Sequence, residues 1–282
     1  MKSFLFVPGD SGRKFEKASQ GAADALILDL EDSVAADAKP QARQATAAML
    51  RQPRGSQRRY VRVNALDTGM TLADLAAVMP AAPDGIVLPK CRGGDDVRLL
   101  AHYLDAFEAA HGLAGGGTRI IAIATETAES VFGLGSYRGC SERLWGLMWG
   151  AEDLSASLAS SANRVDGAYT GPYVMARNLC LMGAAAAEVA AIDTVYVDIE
   201  DVAGLGEEAR QARRDGFAAK AVIHPRHVDA VNQAFTPTPE ETAWARTIVA
   251  AFAAAPGAGV FKLNGQMIDK PHLRRAQAIL GQ

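Results

Sequence analysis

The sequence has few cysteines, little net charge and no long apolar run. Its three cysteines, Cys91, Cys140 and Cys180, are odd in number and widely spaced, which argues against a disulfide framework and suits a reduced cytoplasm. The net charge of −3 gives no reason to expect a nucleic-acid partner. No apolar stretch reaches the ~18 residues that a membrane span requires, because Glu188 and Asp193 interrupt the alanine-rich region.

A dinucleotide-binding motif is also missing. The N-terminal run Ser3–Val7 predicts a first strand, and it is too short before Pro8 for a signal peptide. No Gly-x-Gly-x-x-Gly motif follows this strand. Its absence argues against an open α/β sheet that binds a dinucleotide.

Short apolar runs alternate with helical sequence along residues 1–235. Strict strand–helix alternation predicts a parallel sheet, whose buried strands are apolar on both faces. Eight such units favour closure, so we predict an α/β fold with a (β/α)8 TIM-like barrel as the catalytic domain over residues 1–235. The predicted strands are Ser3–Val7, Ala25–Leu28, Arg59–Val63, Gly85–Leu88, Arg119–Ala124, Leu144–Trp149, Thr194–Val197 and Ala219–Ile223.

Residues 236–282 are extra to the barrel and predict a C-terminal helix–hairpin–helix extension. Thr238 is the expected N-cap of a helix that runs to about Ala254 and ends at Pro256-Gly257. A hairpin around Asn264-Gly265 and a last helix from about Pro271 follow.

Two predicted strands end in carboxylates. Glu126 follows the run Arg119–Ala124, and Asp153 follows Leu144–Trp149. The carboxyl ends of barrel strands form the active-site face, and a lone buried carboxylate is expensive. Glu126 and Asp153 could therefore hold one divalent cation between neighbouring strand ends. The other interpretation stays open, because acids at strand–helix junctions are commonly helix caps or solvated residues.

Charged residues also gather at the ends of the second, third and fourth predicted strands. Asp29, Glu31 and Asp32 crowd one strand end, where like charges raise each other's pKa unless cations intervene. Arg62 lies between two valines and must be paired, either with a ligand carboxylate that suits its planar fork or with these acids. Lys90 could be a cation at the barrel mouth, a salt-bridge partner or a Schiff-base amine.

A set of short motifs occurs in order along nearly the whole chain. They are Phe4–Gly9, Asp29–Asp32, Val61–Asn64, Leu88–Lys90, Glu126-Thr127, Gly150–Leu154, Gly216-Phe217 with Lys220, Ile223–Pro225 and Met267–Asp269. Each motif alone is weak, but the ordered set resembles the citrate lyase β-subunit-like group of the HpcH/HpaI aldolase superfamily. The resemblance implies a TIM-like barrel that binds Mg²⁺ and is usually a homo-oligomer, often a trimer. Such proteins cleave or form a carbon–carbon bond between a thioester acyl group and a keto acid.

The resemblance also implies roles for single residues. Glu126 and Asp153 are the expected metal ligands, and Arg62 is the expected catalytic clamp on the keto-acid carboxylate, so that Arg62 and Glu126 would face the substrate. Asp269 resembles a tail acid that some relatives insert into a neighbouring subunit's site, and it is the candidate general base. The extension would then pack on a neighbouring subunit. Cys91-Arg92, which follows Pro89-Lys90, departs from the pattern, because relatives commonly place an acidic residue there.

The expected activity is that of a Mg²⁺-dependent carbon–carbon lyase acting on a 3-hydroxy-acyl thioester such as citryl-CoA or malyl-CoA. Malate synthase and malyl-CoA thioesterase activities are alternatives on the same scaffold. An acyl-carrier protein could replace CoA and would then be an obligatory partner. A further alternative is a non-catalytic accessory subunit that binds a metal and a keto acid.

Overall fold

The computed structural model describes residues 1–254, 259–263 and 265–281. The chain packs into two compact units, Met1–Phe235 and Thr236–Gln282. Among the described helices, none is both long enough and apolar enough to cross a membrane.

The first unit is built on short strands. They are β1 (Ser3–Pro8), β2 (Ala25–Asp29), β3 (Arg58–Arg62), β4 (Gly85–Leu88), β5 (Arg119–Ile123), β6 (Leu144–Met148), β7 (Arg164–Val165), β8 (Ala168–Tyr169), β9 (Ala190–Asp193) and β10 (Ala219–Val222). All except β7 and β8 run parallel and close into an eight-stranded barrel in which β10 pairs with β1. The predicted (β/α)8 barrel is confirmed. The short strands β7 and β8 form a separate antiparallel pair.

Helices follow each of the barrel strands, as strand–helix alternation requires. They are α1 (Gly12–Ser19), α2 (Lys39–Arg51), α3 (Thr71–Val78), α4 (Gly94–Ala110), α5 (Ala128–Gly133), α6 (Glu152–Ser157), α7 (Gly171–Ala187), α8 (Val202–Asp215) and α9 (Val228–Ala234).

Side chains alternate between two apolar layers along each barrel strand. In β5, Ile121 and Ile123 belong to the cluster inside the barrel, together with Phe4 and Met148. Ile120 and its alternate neighbours belong to the larger cluster that packs against the helices. Both faces of each strand are therefore buried, which explains why the strands are continuous apolar runs in the sequence. The three cysteines are free and buried.

The seventh barrel strand lies earlier than the sequence predicts. The prediction placed it at Thr194–Val197 and was wrong, because the strand is Ala190–Asp193. Helix α7 ends at Ala187, its C-cap Glu188 adopts a left-handed conformation with φ 59°, and the strand starts two residues after Glu188. Alanine is the strongest helix former, so an alanine-rich strand next to an alanine-rich helix gives no sequence contrast.

The second unit has the predicted helix–hairpin–helix form. It contains α10 (Pro239–Ala254), β11 (Val260–Leu263), β12 (Gln266–Asp269) and α11 (Lys270–Leu280). Thr238 Oγ1 accepts a hydrogen bond from the Glu241 N–H at 3.2 Å, and Glu241 Oε2 accepts one from the Thr238 N–H at 2.8 Å, which is a capping box. The predicted helix end at Pro256-Gly257 and the turn residue Asn264 lie outside the described residues.

Candidate active site

The candidate site is a cavity of about 400 Å³ at the carboxyl end of the barrel. Asp29 and Arg62 are the last residues of β2 and β3, while Glu126 and Asp153 follow β5 and β6 by a few residues. All four residues line this cavity. The structure therefore brings together the two predicted metal ligands and the predicted clamp, because parallel strands deliver their carboxyl ends to one face.

Glu126 is held at the end of β5 by its neighbours. The carboxylate oxygen Oε2 accepts a hydrogen bond from the Lys90 backbone N–H at 2.5 Å, and the residue is 4% exposed. A Cβ at Gly150 would lie 2.8 Å from Glu126 Cγ, so this glycine leaves the space that the Glu126 side chain occupies. Thr127, not Glu126, is the N-cap of α5. The helix-cap interpretation of Glu126 is therefore wrong.

The charge around Glu126 is unfavourable for a bare carboxylate. Burial raises the pKa of Glu126 to about 8, and the negative charges of Asp153 and Glu31 add to the shift. The Lys90 N–H and the Arg62 charge oppose the shift only in part. At neutral pH this carboxyl group thus retains a proton unless a cation comes close.

Asp153 lies in the first turn of α6, where the helix dipole favours an acidic side chain. Its side chain is 33% exposed, and Oδ1 lies 3.4 Å from Lys90 Nζ. Asp153 therefore combines the predicted helix-start position with a place on the cavity wall beside Glu126.

The Arg62 guanidinium contacts two acids at and just after the end of β2. The strand register sets Arg62 beside Asp29, and the guanidinium binds the Asp29 carboxylate through Nε and Nη2 at 2.7 and 2.8 Å. Nη1 lies 2.8 Å from Glu31 Oε2, an ion pair without the angles of a hydrogen bond. The Phe6 ring centroid is 5.0 Å from the guanidinium carbon. Of the two predicted pairings for Arg62, the structure shows the one with the second-strand acids, while Arg62 also lines the cavity.

Burial would lower the pKa of Arg62, but hydrogen bonding to Asp29 and the charges of Asp29 and Glu31 outweigh it and raise that pKa. Arg62 is thus a fixed positive charge on the cavity wall.

Lys90 ties the acids together from the end of β4. Its ammonium contacts Glu31 Oε1, and it lies 3.8 Å from Asp32 Oδ1 in addition to its contact with Asp153. Burial lowers the pKa of Lys90, but hydrogen bonding to Glu31 and the surrounding negative charges raise it overall. A Schiff-base amine must lose its proton, so this environment favours the structural cation over the nucleophile.

Asp269, the candidate base, lies in the second unit at the start of α11. It is the N-cap of that helix, and its Oδ1 is 2.6 Å from Nδ1 of His272. Hydrogen bonding to His272 lowers the pKa of Asp269 and keeps the carboxylate ionised. The catalytic role of Asp269 stays a prediction.

Sequence analysis missed the contacts that support the cavity wall from behind. Trp149 lines the cavity, and its indole N–H donates to Asp193 Oδ1 at 2.7 Å. Lys220, which is 0% exposed, lies 2.7 Å from Asp193 and 2.9 Å from Glu208. Because the seventh strand was predicted too late in the sequence, Asp193 was not recognised as the acid at the end of that strand. The apolar residues immediately before it resemble the runs that precede Glu126 and Asp153, and they are the signal that could have revealed it.

The site offers few metal ligands, and these are carboxylate oxygens. In the described part of the chain, no three or more His, Cys, Asp or Glu side chains form a group that could hold a metal ion by themselves. Glu126 and Asp153 offer carboxylate oxygens, the ligands that Mg²⁺ prefers, and an Mg²⁺ site typically needs only one or two of them. The pair therefore fits an open magnesium site that is completed by water and substrate.

Comparison with known proteins places this geometry in a family. The family model for HpcH/HpaI aldolase/citrate lyase matches residues 2–225. The citrate lyase subunit beta-like protein of Mycobacterium tuberculosis is 38% identical over 278 residues, covering 98% of this chain and 93% of the relative. The mitochondrial citramalyl-CoA lyase of Rattus norvegicus is 32% identical over 295 residues, covering 99% of this chain and 85% of the relative.

A solved structure shows the same likeness in three dimensions. The crystal structure of CitE from Mycobacterium tuberculosis in complex with magnesium, acetoacetate and coenzyme A matches with a TM-score of 0.79 at 36% identity. The match covers 99% of this chain and 97% of that chain. With its barrel, its ordered motifs and these similarities, the chain belongs to the HpcH/HpaI aldolase/citrate lyase family.

Proposed function

We propose that this chain is a Mg²⁺-dependent carbon–carbon lyase. It cleaves, or in reverse forms, a 3-hydroxy-acyl thioester such as citryl-CoA or malyl-CoA, giving an acyl thioester and a keto acid. The observation that carries the proposal is that Glu126, Asp153 and Arg62 line one cavity at the catalytic face of the barrel. Relatives named for lyase activity, and a neighbour solved with magnesium and coenzyme A, support it.

Glu126 and Asp153 would hold the Mg²⁺. Their mutual repulsion, which helps to raise the pKa of Glu126 to about 8, is relieved by a divalent cation between or beside them. Bound there, Mg²⁺ supplies a Lewis acid that polarises the carbonyl oxygen of the keto acid.

Arg62 would fix the carboxylate of the keto-acid fragment. Its Nε and Nη2 atoms bind Asp29, so the guanidinium plane is already immobile before substrate arrives. An Arg side chain has five N–H donors, of which the pairing with Asp29 uses two, and Nη1 is in an ion pair with Glu31 that lacks hydrogen-bond geometry. Arg62 would thus act by positioning, because a preset charge orients the bond that breaks.

Cleavage requires one proton to leave and one to return. A base removes the proton of the 3-hydroxyl group, the carbon–carbon bond breaks, and the hydroxyl carbon becomes the keto-acid carbonyl. The electron pair of that bond passes to the thioester fragment as an enolate, which takes up a proton to give the acyl thioester. Asp269 is the proposed proton carrier, which is consistent with its ionised state and its 45% exposed side chain.

We also propose that residues 236–282 pack on a neighbouring copy of the chain, in a homo-oligomer that is a trimer by resemblance. In such an assembly Asp269 would reach the site of the next subunit. An acyl-carrier protein in place of CoA remains part of the proposal as an alternative carrier of the thioester.

The test is an assay of the purified chain with citryl-CoA and malyl-CoA, in Mg²⁺ or in EDTA. We expect cleavage in Mg²⁺, none in EDTA, and recovery when Mg²⁺ is added back. The Asp153→Ala variant is the control, and Mg²⁺ should not restore it. Turnover that EDTA leaves unchanged would contradict the proposal. Mg²⁺ binding without turnover of any thioester would point to an accessory subunit instead.

A further inference from the structure

A buried ion pair joins β9 to β10 behind the cavity wall. Asp193 is the last residue of β9 and Lys220 is its register partner on β10, and their side chains are 1% and 0% exposed. Ile192 points into the barrel, so Asp193 points outward to the helices. Replacing such a pair by apolar side chains is often neutral for stability, because the cost of removing two charges from water offsets their attraction. Stability alone therefore does not account for the pair.

The Asp193 carboxylate also holds a side chain of the cavity wall. Its Oδ2 accepts a hydrogen bond from Lys220 Nζ at 2.7 Å, and its Oδ1 accepts one from the Trp149 indole N–H at 2.7 Å. Arg177 Nε lies 3.5 Å from Oδ1. Burial raises the pKa of Asp193, but the charges of Lys220 and Arg177 outweigh burial and lower that pKa overall. Asp193 is thus a fixed anion with one oxygen directed at the indole.

The β7–β8 hairpin holds the same indole through a second contact. The Tyr169 ring meets the Trp149 ring edge to face, with 5.0 Å between the centroids. The guanidinium carbon of Arg164 lies 3.6 Å from the Tyr169 centroid, and Arg164 Nη2 lies 2.5 Å from Glu208 Oε2. The other Glu208 oxygen accepts a hydrogen bond from Lys220 at 2.9 Å. The hairpin and the ion pair are therefore parts of one network around Trp149.

Trp149 immediately precedes the segment that shapes the metal site. The N–H of the next residue, Gly150, donates to Thr125 Oγ1 at 3.0 Å, and its missing Cβ leaves the space that Glu126 occupies. Asp153 follows three residues later in the first turn of α6. Because the backbone is continuous, a displaced Trp149 would displace Gly150 and with it the junction that sets the two carboxylates beside each other.

We propose that Asp193 is a positioning residue for the metal site, because its carboxylate fixes the Trp149 indole and, through it, the backbone leading to Asp153. Lys220 holds that carboxylate in place, and the hairpin holds the indole from Tyr169. This inference rests on the proposed Mg²⁺ site and deepens it, since it gives a role to side chains that lie behind the cavity wall.

The first experiment removes only the indole N–H. Trp149→Phe keeps an aromatic ring and leaves the ion pair intact, and Mg²⁺ affinity at pH 8 should fall about 10-fold, as is typical when the support of a metal ligand is lost. Trp145→Phe is the matched control, because Trp145 lies on the same strand but packs against Phe4 inside the barrel. Calorimetric titration measures both variants. Equal Mg²⁺ affinities in the two variants would overturn the inference.

Two double variants separate the hydrogen bond from the ion pair. Asp193→Asn with Lys220→Met keeps an oxygen acceptor for the indole, whereas Asp193→Leu with Lys220→Met removes it. Both lose the same buried ion pair, so a purely structural role predicts the same Mg²⁺ affinity in both. We expect an affinity near that of the wild type in the Asn form and about 10-fold weaker binding in the Leu form. Equal affinities would contradict the positioning role.

A third measurement needs no metal. In EDTA, the amides of residues 149–153 should exchange hydrogen about 10-fold faster in Trp149→Phe than in the wild type, because one hydrogen bond that restrains the segment is lost. Trp145→Phe should leave them unchanged. Unchanged exchange in Trp149→Phe would overturn the inference even if the chain is an active lyase. The expected shifts in a chain that binds Mg²⁺ but cleaves no thioester would support the inference and overturn the proposed function.

Discussion

At the scale of single residues, a proton and a cation compete for the same oxygens of Glu126. The carboxylate is buried, and Asp153 and Glu31 lie close enough to raise its pKa to about 8. Mg²⁺ binding therefore has to displace a proton at neutral pH. Through the ionisation of Glu126, the pH should therefore change both the affinity for Mg²⁺ and the stability of the fold.

The affinity for Mg²⁺ should rise with pH until the Glu126 carboxyl is ionised. We expect about a 10-fold gain per pH unit below pH 8 and a plateau above it, because one proton leaves for each ion bound. Calorimetry across this range measures it, and Glu126→Gln should bind Mg²⁺ weakly with no such slope. If the Mg²⁺ affinity of the wild type did not change with pH below pH 8, Mg²⁺ binding would not displace a proton from Glu126.

The metal-free protein should lose stability over the same range. The folded-state pKa of Glu126 lies above the ordinary value of 4.5, so the contribution is present below pH 4.5 and is lost as pH rises through about 8. In EDTA above pH 8, Glu126→Gln should exceed the wild type by about 3 kcal/mol in unfolding free energy, as an order of magnitude. Denaturant unfolding at pH 5 and pH 9 tests this, and a Gln variant that is less stable at both pH values would contradict it.

Arg62→Lys keeps the charge but removes the planar fork. Keto-acid affinity should fall about 10- to 100-fold, because a charged hydrogen bond is worth about 1.5–3 kcal/mol, while Mg²⁺ affinity changes little. Calorimetry with pyruvate and with Mg²⁺ measures both. Asp29→Asn is the companion variant, because it frees the guanidinium without removing it. A comparable loss of both affinities in Arg62→Lys would assign Arg62 a structural role only.

The residue scale also shows where sequence reasoning stops. The sequence predicts Glu126 and Asp153 as neighbours because each follows a buried strand, and the family resemblance adds Arg62, which lies near the end of another strand. It leaves two partners open for Arg62, since the choice depends on the register that sets Asp29 beside it. The hydrogen bond from the Lys90 N–H to Glu126 has no sequence signal, because it joins backbone to a side chain 36 residues away.

At the scale of secondary-structure elements, the ends of β5 and β6 must come very close together. The Gly150 N–H donates to Thr125 Oγ1 at 3.0 Å, and the Ala124 N–H donates to Met148 O at 2.8 Å. This junction fixes where Glu126 and Asp153 lie relative to each other.

Gly150→Ala tests that junction. The new Cβ would meet Glu126 Cγ at 2.8 Å, so the carboxylate must shift, and Mg²⁺ affinity should fall about 10-fold or more, as expected when a ligand loses its alignment. Gly135→Ala is the matched control, because a Cβ there has nothing within 4 Å. Metal titration of both variants measures the difference. Equal Mg²⁺ affinities in the two variants would show that the close approach does not matter for the site.

A strand was predicted at the correct position where its composition differs from that of the preceding sequence, and at the wrong position where it does not. The strand β5, with its three isoleucines, contrasts with the polar loop before it, and its predicted position agrees with the structure to within one residue. The strand β9 follows an alanine-rich helix and begins with two alanines, so local propensity gave no boundary. The prediction placed the strand on the following apolar residues Val195 and Val197 instead. In the structure Val195 lies just after the strand and lines the cavity.

At the scale of the whole molecule, closure of the sheet assembles the site from distant parts of the sequence. Asp29, Arg62, Glu126 and Asp153 are each brought to the same end by a separate strand–helix unit. The alternation of apolar runs was sufficient to predict the barrel and therefore this face. It was not sufficient to predict the charges of the cavity as a set, because these depend on which side chains turn inward.

The most direct measurement is a calorimetric titration of the EDTA-treated chain with Mg²⁺ at pH 8, for the wild type, Asp153→Asn and Glu126→Gln. Both substitutions keep the side-chain size and remove one carboxylate charge. The account predicts one Mg²⁺ per wild-type chain and a loss of affinity of about 10-fold or more in each variant, because each removes one of two charged ligands. Wild-type affinity in either variant would show that the two carboxylates do not share an ion.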